Sequence, residues 1–332
     1  MKDISLSIII PVYNGELLIT RCLDSIYSQA IANNLFEVVC INDCSTDNTV
    51  YVIDNYKRQK QLENLKVINH SHNTRQGGAR NTGVRNAVND YIIFMDHDDE
   101  LAQNSLGTIL HFLIESSCNL DIISIDYVSV GKGEIRRICN SSNSLHIMDG
   151  KSYIKTQQIP WVPWMYIYRR EFLLNNNLLF EENVRFEDVD FIIKCTLKAQ
   201  WIVHVPLVFY TYYSEASCSQ TSNVGNDKVK IIDMLKTSER IRTIYENEPD
   251  PGAAQVVLDQ HSFGFLSNIK RYMWRLRTRE IYKVVKEFQP SSDCRSPILR
   301  FYRSYPIGFA SILVVLKPLL YVVGSLKRLM RF

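Results

Sequence analysis

SLSIIIPVYN, residues 5–14, opens the chain with an apolar run that contains three consecutive isoleucines and is interrupted by Pro11. A run of this kind predicts a buried strand over Ser5–Ile10. Apolar residues then recur at helical spacing from Leu17 to Ile26, and Phe36–Ile41 is a second run of the buried-strand type. The order strand, helix, strand predicts a β-α-β unit at the start of an α/β domain.

The alternation of strands and helices continues beyond this unit. The pattern predicts helices over Thr46–Leu62 and Gly77–Val88, and strands over Leu65–Ile68 and Tyr91–Met95. It further predicts a helix near 106–115, a strand near 121–128, a hairpin within 131–144, helices near 169–175 and 187–198, and a strand over 201–213. Alternation of this kind is typical of a mostly parallel central sheet with helices on both faces. Such sheets bind ligands at the carboxyl ends of their strands.

The length of 332 residues is more than one core usually fills, since single cores stop growing near about 250–300 residues. A polar loop at Ser214–Asn226 provides the expected boundary. We therefore expect a catalytic domain over 1–226, with a nucleotide-binding half (1–100) and an acceptor half (101–226). A helical C-terminal region over 227–332 would follow it.

Composition indicates an ordered globular protein, because 46% of the residues are hydrophobic and 22% are charged. The eight cysteines show no zinc-ribbon spacing, and several lie in apolar stretches, including Cys22, Cys118, Cys139 and Cys195. Buried free thiols in a reducing compartment are expected. The N-terminal apolar run lacks the basic flank and cleavage site of a secretory signal, so we expect a cytoplasmic protein.

Two acidic residues follow the second predicted strand, in INDCSTD at residues 41–47. Asp43 is suited to accept hydrogen bonds from a nucleobase or from ribose hydroxyls, as acidic residues at strand ends do in dinucleotide-binding folds. Asp47 is equally suited to cap the next helix. The motif predicts a nucleotide contact at Asp43 and leaves both roles open for Asp47.

Three carboxylates, Asp96, Asp98 and Asp99, follow the predicted strand Tyr91–Met95 in FMDHDDE. Carboxylates this close repel one another unless water or a cation neutralises them. Mg²⁺ and Mn²⁺ prefer oxygen ligands and often bind through one or two carboxylates together with substrate phosphates. We therefore expect a divalent metal here, the alternative being a solvated acidic turn. His97 is expected to be a turn residue and not a ligand.

A small-residue turn leads into a helix in QGGARNTGVRNA, residues 76–87. It lacks the G-x-G-x-x-G spacing and the downstream acid of a dinucleotide fingerprint, which disfavours a hydride-transfer enzyme. The guanidinium of Arg80 offers a fixed fork of donors to oxyanions. Arg80 is therefore a candidate phosphate or nucleotide contact, the alternative being a surface ion pair.

Glu187 and Asp188 begin the predicted helix Glu187–Lys198, in VRFEDVDF. The helix macrodipole stabilises a carboxylate in the first turn, which is by itself a structural reason for an acid there. The same field is expected to keep Asp188 ionised and available as a base at neutral pH. These residues alone leave a structural and a catalytic role open.

Together these motifs resemble those of the glycosyltransferase family 2 enzymes, which have the GT-A fold and invert the anomeric carbon. The resemblance covers roughly the first 215 residues. It rests on SLSIIIPVYN (5–14), NDCSTDNT (42–49), GARNTG (78–83), FMDHDDE (94–100), and YRREFLLNNNLLF through FEDVDF (168–191). Each segment is weak alone, but five of them in this order are specific.

The resemblance implies a role for each matching residue. It implies a nucleotide pocket lined by Pro11, Tyr13, Asp43, Arg80 and Asp96. Asp96 and Asp98 match the family's DxD pair, whose second acid is usually the direct ligand of Mn²⁺ or Mg²⁺. Asp188 matches the second acid of the Glu-Asp motif, which serves as the catalytic base. Glu187 and Trp164 are candidate acceptor contacts, Trp164 because aromatic faces pack against sugar rings.

One segment departs from the family pattern, in FYTYYSEASCSQTSN at residues 209–223. Relatives often carry an Arg or His shortly after the paired tyrosines, where it helps to hold the diphosphate or the acceptor. Here Tyr213, Ser214 and Glu215 stand instead. The diphosphate contact on this side is therefore without a candidate. His204 lies within the preceding apolar strand and is expected to be structural.

Positive charge is concentrated near the C-terminus, since residues 268–332 hold 14 Lys and Arg against 3 acids in a chain of net charge +3. Within this tail, Ile307–Val323 is an apolar run interrupted by Lys317 and Pro318. A membrane-spanning helix needs about 20 apolar residues and rarely carries a central Lys. We therefore expect residues 300–332 to lie on an anionic membrane surface. The alternative is a helix docked on the catalytic domain or a second subunit. Because charges alternate with long apolar stretches, nucleic-acid binding is not expected.

The sequence thus predicts a metal-dependent, inverting transferase that is peripheral on the inner face of the cytoplasmic membrane. It would move a sugar from a nucleotide-diphosphate sugar, in particular a UDP-sugar, to a hydroxyl of a saccharide or lipid-linked acceptor in surface-polysaccharide synthesis. One alternative is a catalytically silent sugar-nucleotide-binding or scaffold protein of the same fold. Another is nucleotidyl transfer, which would share the metal site but would not require the Glu-Asp motif.

Overall fold

The computed structural model describes residues 4–116, 119–131, 134–138, 145–157, 159–214 and 227–257. The chain divides into two compact units, Met1–Ser222 and Asn223–Phe332. In the described part of the chain, no helix is both long enough and apolar enough to cross a membrane. The predicted membrane-binding segment 300–332 lies outside the described residues.

Strands and helices alternate through the first unit. The strands are β1 (Leu6–Val12), β2 (Phe36–Asn42), β3 (Leu65–Asn69), β4 (Tyr91–Phe94), β5 (Glu100–Leu101), β6 (Ile122–Gly131), β7 (Glu134–Ile138), β8 (Tyr166–Arg169) and β9 (Ile202–Tyr213). The helices are α1 (Ile19–Tyr27), α2 (Thr49–Lys60), α3 (Arg75–Asn86), α4 (Ser105–Glu115), α5 (Gly150–Thr156), α6 (Arg170–Asn175) and α7 (Glu187–Lys198). The second unit contains α8 (Asp227–Asn247) and further helical residues at 251–257.

The strands form one sheet in the order β3-β2-β1-β4-β8-β6-β9-β5, with β7 paired to β6. The first four strands are mutually parallel, as predicted. Beyond β4 the sheet is mixed, because β8 runs antiparallel to both β4 and β6 while β9 runs parallel to β6. The sheet therefore joins a parallel half to a mixed half, and β4 lies at the junction.

The predicted strand at residues 5–10 extends further, through Pro11 to Val12. Its partner β4 ends in register with Ile9, whereas β2 stays paired to the end of β1. The backbone carbonyl of Ile9 faces the β4 side, where it accepts from the N–H of Met95. Pro11, two residues later, faces the same side beyond the end of β4, so its missing N–H breaks no ladder bond. Every residue of β1 and β2 is buried, so both faces of these strands are covered, as expected of parallel strands.

The strongly patterned elements are confirmed. A hairpin is also present, formed by β6 and β7, but its first strand lies before the predicted segment 131–144. Three short elements, β5, β8 and α5, were not predicted. The two strands have four or fewer residues and α5 spans only Gly150–Thr156, so none of them is long enough to show a clear hydrophobic periodicity. Buried free thiols are confirmed at Cys22, Cys40 and Cys195. Cys118 and Cys139 lie outside the described residues.

Candidate active site

A cleft of about 360 Å³ opens where β1, β2 and β4 end. Eight predicted site residues line it: Pro11, Tyr13, Asp43, Arg80, Asp96, Asp98, Trp164 and Asp188. The cleft also includes Gln76, Tyr127, Tyr212 and Tyr213, which the sequence did not single out as ligand contacts. Residues from five separate motifs are thus brought to one edge of the sheet.

The acidic loop after β4 gathers carboxyl groups from Asp96, Asp98 and Asp99, with one oxygen from each lying within 4.8 Å of the others. Asp99 is buried, and both of its oxygens are occupied. Its Oδ2 accepts from the hydroxyl of Tyr210 at 2.8 Å and its Oδ1 from the backbone N–H of Tyr213 at 2.8 Å. Asp96 and Asp98 line the cleft and Asp99 does not, so the oxygens accessible to a ligand belong to the pair that the DxD match implies.

The electrostatics of this loop fit a divalent cation. Burial raises the pKa of Asp98, and the neighbouring Asp96 raises it further. The same two causes raise the pKa of Asp99 to about 8, even though Tyr210 and Tyr213 donate hydrogen bonds to it. Carboxyl groups that repel one another in a partly buried loop are hard oxygen donors whose repulsion a cation would relieve. Mn²⁺ or Mg²⁺ matches this donor set.

Arg80, on α3, lies between the acidic loop and the start of α7. Its Nη1 donates to Oε1 of Glu187 at 2.9 Å, and its Nη2 donates to Oδ1 of Asp96 at 3.0 Å. Burial acts to lower the pKa of Arg80, but Asp96, Glu187 and Asp188 outweigh it and raise that pKa. Arg80 therefore forms ion pairs, as the alternative prediction stated, but these pairs are buried and not at the surface. Its guanidinium also lines the cleft.

Glu187 occupies a different place from the predicted one. It was a candidate acceptor contact, but its side chain is buried against Arg80 and is not among the residues that line the cleft. Successive residues of a helix point about 100° apart, so Asp188 faces the cleft while Glu187 faces the arginine. The structure thus gives Glu187 a contact with Arg80 in place of one with an acceptor.

Two glycines let α3 carry Arg80 into this position. A Cβ at Gly83 would lie 2.2 Å from Cγ2 of Ile9 in β1, so the helix packs directly on the strand. A Cβ at Gly77 would lie 2.4 Å from the backbone carbonyl oxygen of Glu181. Any larger residue at either position would force the neighbouring segments apart.

Asp188 lies in the first turn of α7 and lines the cleft. The predicted ionisation is wrong: burial raises the pKa of Asp188 to about 8, with a further contribution from Glu187. The helix N-terminus favours the anion by only about 0.3–1 kcal/mol at an ordinary exposed site, and desolvation outweighs it here. A carboxyl group with a pKa near neutrality is well suited to exchange a proton during catalysis.

Asp43 is held by a polar network that the sequence did not predict. Its Oδ1 accepts from the backbone N–H and the hydroxyl of Thr74, at 2.7 and 2.9 Å, and lies 2.9 Å from Nδ1 of His70. This leaves Oδ2 to meet a ligand in the cleft. Asp47, for which two roles were open, accepts from the N–H of Thr49 at the start of α2 and does not line the cleft.

Trp164 lies at the cleft wall, as predicted, but only 4% of it is exposed. Its ring stacks on Tyr210 at a centroid distance of 4.4 Å and on Tyr212 at 5.7 Å, and Tyr127 meets it edge-on at 4.8 Å. The half-buried rings of Tyr127 and Tyr212 therefore offer more surface to a ligand than Trp164 does. The sequence signals for this aromatic wall were the prediction for Trp164 and the paired tyrosines at the end of β9.

Arg21 of α1 lies beside Tyr213, the residue after which relatives often carry an Arg or His. Its guanidinium lies 4.0 Å above the ring of Tyr213, and its Nη2 donates to the backbone carbonyl of Asp98. The predicted structural role of His204 agrees with its burial, which lowers its pKa. Glu215 lies outside the described residues.

Comparison with known proteins gives glycosyltransferases among the relatives of this chain. The chain is 29% identical over 200 residues to the poly(ribitol-phosphate) beta-glucosyltransferase of Bacillus spizizenii, a match that covers 59% of this chain and 30% of that protein. The chain therefore spans less than a third of that relative's length.

Solved structures with the same fold include that of Staphylococcus aureus TarS 1–349 in complex with UDP-GlcNAc. It has a TM-score of 0.68 at 22% identity and covers 97% of this chain and 92% of its own. The mannosyltransferase PcManGT from Pyrobaculum calidifontis, in complex with GDP-Man and Mn²⁺, has a TM-score of 0.56 at 13% identity and covers 96% and 88%. At these identities the likeness establishes the fold, which is the expected α/β GT-A fold.

The family model described as Glycosyl transferase family 2 matches residues 7–181, just over half of the chain. That interval contains the ends of β1, β2 and β4, together with Arg80 and the acidic loop, and it stops shortly before α7. The match agrees with the geometry of the cleft and with the fold of the solved structures. This chain belongs to glycosyl transferase family 2.

Proposed function

We propose that this chain is an inverting glycosyltransferase that moves a sugar from a nucleotide-diphosphate sugar to an acceptor hydroxyl. The observation that carries the proposal is that Asp188 and the pair Asp96 and Asp98 line one cleft. Displacement at an anomeric carbon needs a base for the attacking hydroxyl and positive charge at the departing diphosphate. This cleft offers a carboxyl group for the first and a cation-binding loop for the second.

Asp188 is the proposed base. Its carboxylate would accept the proton of the acceptor hydroxyl while that oxygen attacks the anomeric carbon from the face opposite the diphosphate. The bond to the diphosphate breaks as the new glycosidic bond forms, so the anomeric configuration inverts. Its pKa of about 8 lies near physiological pH, where a general base combines basicity with an appreciable deprotonated fraction.

Asp98 and Asp96 are the proposed holders of Mn²⁺ or Mg²⁺. When bound there, the cation supplies charge that stabilises the diphosphate leaving group. Arg80 keeps Asp96 in place and adds a second positive charge at the cleft wall. Asp43, with Oδ1 fixed by Thr74, would present Oδ2 to the nucleobase, next to Pro11 and Tyr13.

UDP is the proposed nucleotide, and a saccharide or lipid-linked acceptor in surface-polysaccharide synthesis is the proposed partner. Two findings support this: the similar TarS structure contains UDP-GlcNAc, and the Bacillus spizizenii relative is named for glucosyl transfer to poly(ribitol-phosphate). The aromatic wall of Tyr127 and Tyr212 provides apolar faces for a sugar ring.

A peripheral location on the inner face of the cytoplasmic membrane is also proposed, and it rests on sequence alone. Basic residues near an anionic surface contribute about 1 kcal/mol each, and the apolar run Ile307–Val323 ends close to Lys327, Arg328 and Arg331. Changing these three to Gln should weaken co-sedimentation with anionic vesicles and leave the weak binding to neutral vesicles unchanged. Equal pelleting of both proteins would refute the electrostatic part of this proposal.

The test of the transferase proposal is a panel of nucleotide sugars, each measured with and without Mn²⁺. The readouts are thermal stabilisation of the full chain and slow release of nucleotide from the donor. We expect one UDP-sugar to stabilise the protein in the presence of Mn²⁺ and to be hydrolysed slowly. Stabilisation without any hydrolysis, unchanged in Asp188→Asn, would instead support the catalytically silent sugar-nucleotide-binding protein.

A further inference from the structure

The hydroxyl of Tyr210 joins the acidic loop to strand β9. It donates to Oδ2 of Asp99 at 2.8 Å and accepts from the backbone N–H of Asp96 at 3.0 Å. Tyr210 is fully buried and Asp99 is 1% exposed. One oxygen atom therefore fixes both ends of the loop that carries Asp96 and Asp98.

The remaining bonds of the loop lead to the same strand. The backbone N–H of Tyr213 donates to Oδ1 of Asp99 at 2.8 Å. Immediately after the loop, β5 pairs with β9, and Leu101 lies opposite Tyr210. Both oxygens of Asp99 thus accept from donors on β9, and Asp99 is absent from the cleft lining.

We propose that Tyr210 and Asp99 are positioning residues that hold Asp96 and Asp98 in the geometry that binds the divalent cation. The inference rests on the proposed metal-dependent function. It assigns the role of metal ligand to Asp96 and Asp98 and a positioning role to Asp99, although all three carboxyl groups lie close together. Groups that orient metal ligands through hydrogen bonds typically contribute 10–100-fold to metal affinity.

Tyr210 also connects the acidic loop on one side of the cleft with the aromatic wall on the other. The ring of Tyr210 stacks on Trp164 with an interplanar angle of 7°, and Trp164 stacks in turn on Tyr212. The residue that fixes the metal loop therefore also supports the aromatic wall. A loss of its hydroxyl alone would disturb the loop and leave the wall in place, which makes Tyr210→Phe a selective change.

The experiment is a titration of the full chain with Mn²⁺, alone and with UDP, followed by the electron paramagnetic resonance signal of free Mn²⁺. The variants are Tyr210→Phe, Asp99→Asn, their combination, and Asp98→Asn as the loss of a direct ligand. Tyr91→Phe is the matched control, because its buried hydroxyl donates to the backbone carbonyl of Leu120, away from the cleft. Thermal melts report the stability of each variant.

We expect Tyr210→Phe and Asp99→Asn each to weaken Mn²⁺ binding by about 10–100-fold, with melting temperatures close to that of Tyr91→Phe. The combination should lose less than the two single losses added together, since both changes break the hydrogen bond between Tyr210 and Asp99. Mn²⁺ affinity in Tyr210→Phe equal to that in Tyr91→Phe would overturn the inference while leaving the proposed function intact. Additive losses, with Asp99→Asn as damaging as Asp98→Asn, would make Asp99 a ligand. A wild-type chain that binds no Mn²⁺ would refute the metal assignment together with this inference.

Discussion

The guanidinium of Arg80 lies 2.9 Å from the carboxylate of Glu187, although the two residues are 107 positions apart in the chain. The contact joins α3 to the first turn of α7, which carries Asp188. The other arm of the same guanidinium reaches Asp96. The proposed base and the proposed metal loop are therefore held by one buried cation.

Removing that cation should destabilise the fold. Arg80→Met leaves Glu187 buried without its partner, and breaking a buried pair in this way typically costs about 3–5 kcal/mol. Urea unfolding measures the loss. Arg85→Met on the same helix is the control, because Arg85 is about half exposed and its 3.7 Å pair with Glu182 should contribute less than about 1 kcal/mol. Adding Glu187→Gln to Arg80→Met should recover part of the stability, and no recovery would contradict the pairing.

Nucleotide binding should depend on the metal through Asp98. Calorimetric titration of UDP into the wild type and Asp98→Ala, each with and without Mn²⁺, tests this. We expect Mn²⁺ to strengthen UDP binding at least tenfold in the wild type and to have little effect in the variant, because the hard oxygen ligand is gone. The same affinity in all four titrations would remove Asp98 from the metal site.

Asp188→Asn should leave donor binding nearly intact and reduce turnover by about 10²–10⁴-fold, the usual contribution of a general base. The amide keeps the size of the side chain but cannot accept the acceptor's proton. Glu171→Gln, on the exposed surface of α6, provides a control for the loss of one acid. If Asp188→Asn turned over at the wild-type rate, Asp188 would be structural and the base would lie elsewhere.

The pH dependence of kcat/KM should report the raised pKa of Asp188. A base acts in its deprotonated form, so activity should increase with pH up to about 8, the pKa that burial and Glu187 give this group. Glu187→Gln should shift this limb to lower pH, since it removes a neighbouring negative charge. A flat profile from about two pH units below that pKa up to the pKa itself, roughly pH 6 to pH 8, would mean that a group other than Asp188 limits the rate.

Trp164 and Tyr212 should separate stability from acceptor binding. Trp164→Ala removes a ring that is 4% exposed and stacked on two tyrosines, so we expect a loss of about 3–5 kcal/mol in urea unfolding. Tyr212→Ala, at the half-buried outer face of the stack, should cost less stability and raise KM for the acceptor. Retention of the ring in Tyr212→Phe should preserve that KM. The opposite pattern would place Trp164, and not Tyr212, against the sugar.

The sequence predicted the parallel half of the sheet and the residues at its edge, because buried runs such as Phe36–Ile41 and the acids that follow them are local signals. It predicted Asp188 by resemblance but gave its ionisation incorrectly, since desolvation depends on packing from distant segments. The contacts of Arg80 with Glu187 and of Asp99 with Tyr210 join residues more than a hundred positions apart. No spacing rule connects residues that only the tertiary fold brings together, and so Tyr210 and His70 had no signal of their own.

The close approach at Gly77 has a consequence for how family signatures are interpreted. In the segment GGARN, Arg80 is easily taken as the functional residue and the glycines as residues without a role of their own. Yet at Gly77 the backbone of α3 comes so near the carbonyl of Glu181 that no side chain fits between them. Gly77 therefore sets the distance between α3 and the segment that leads into α7. A larger residue at Gly77 is therefore expected to lower activity by displacing Asp188, the proposed base, without changing a polar atom of the cleft.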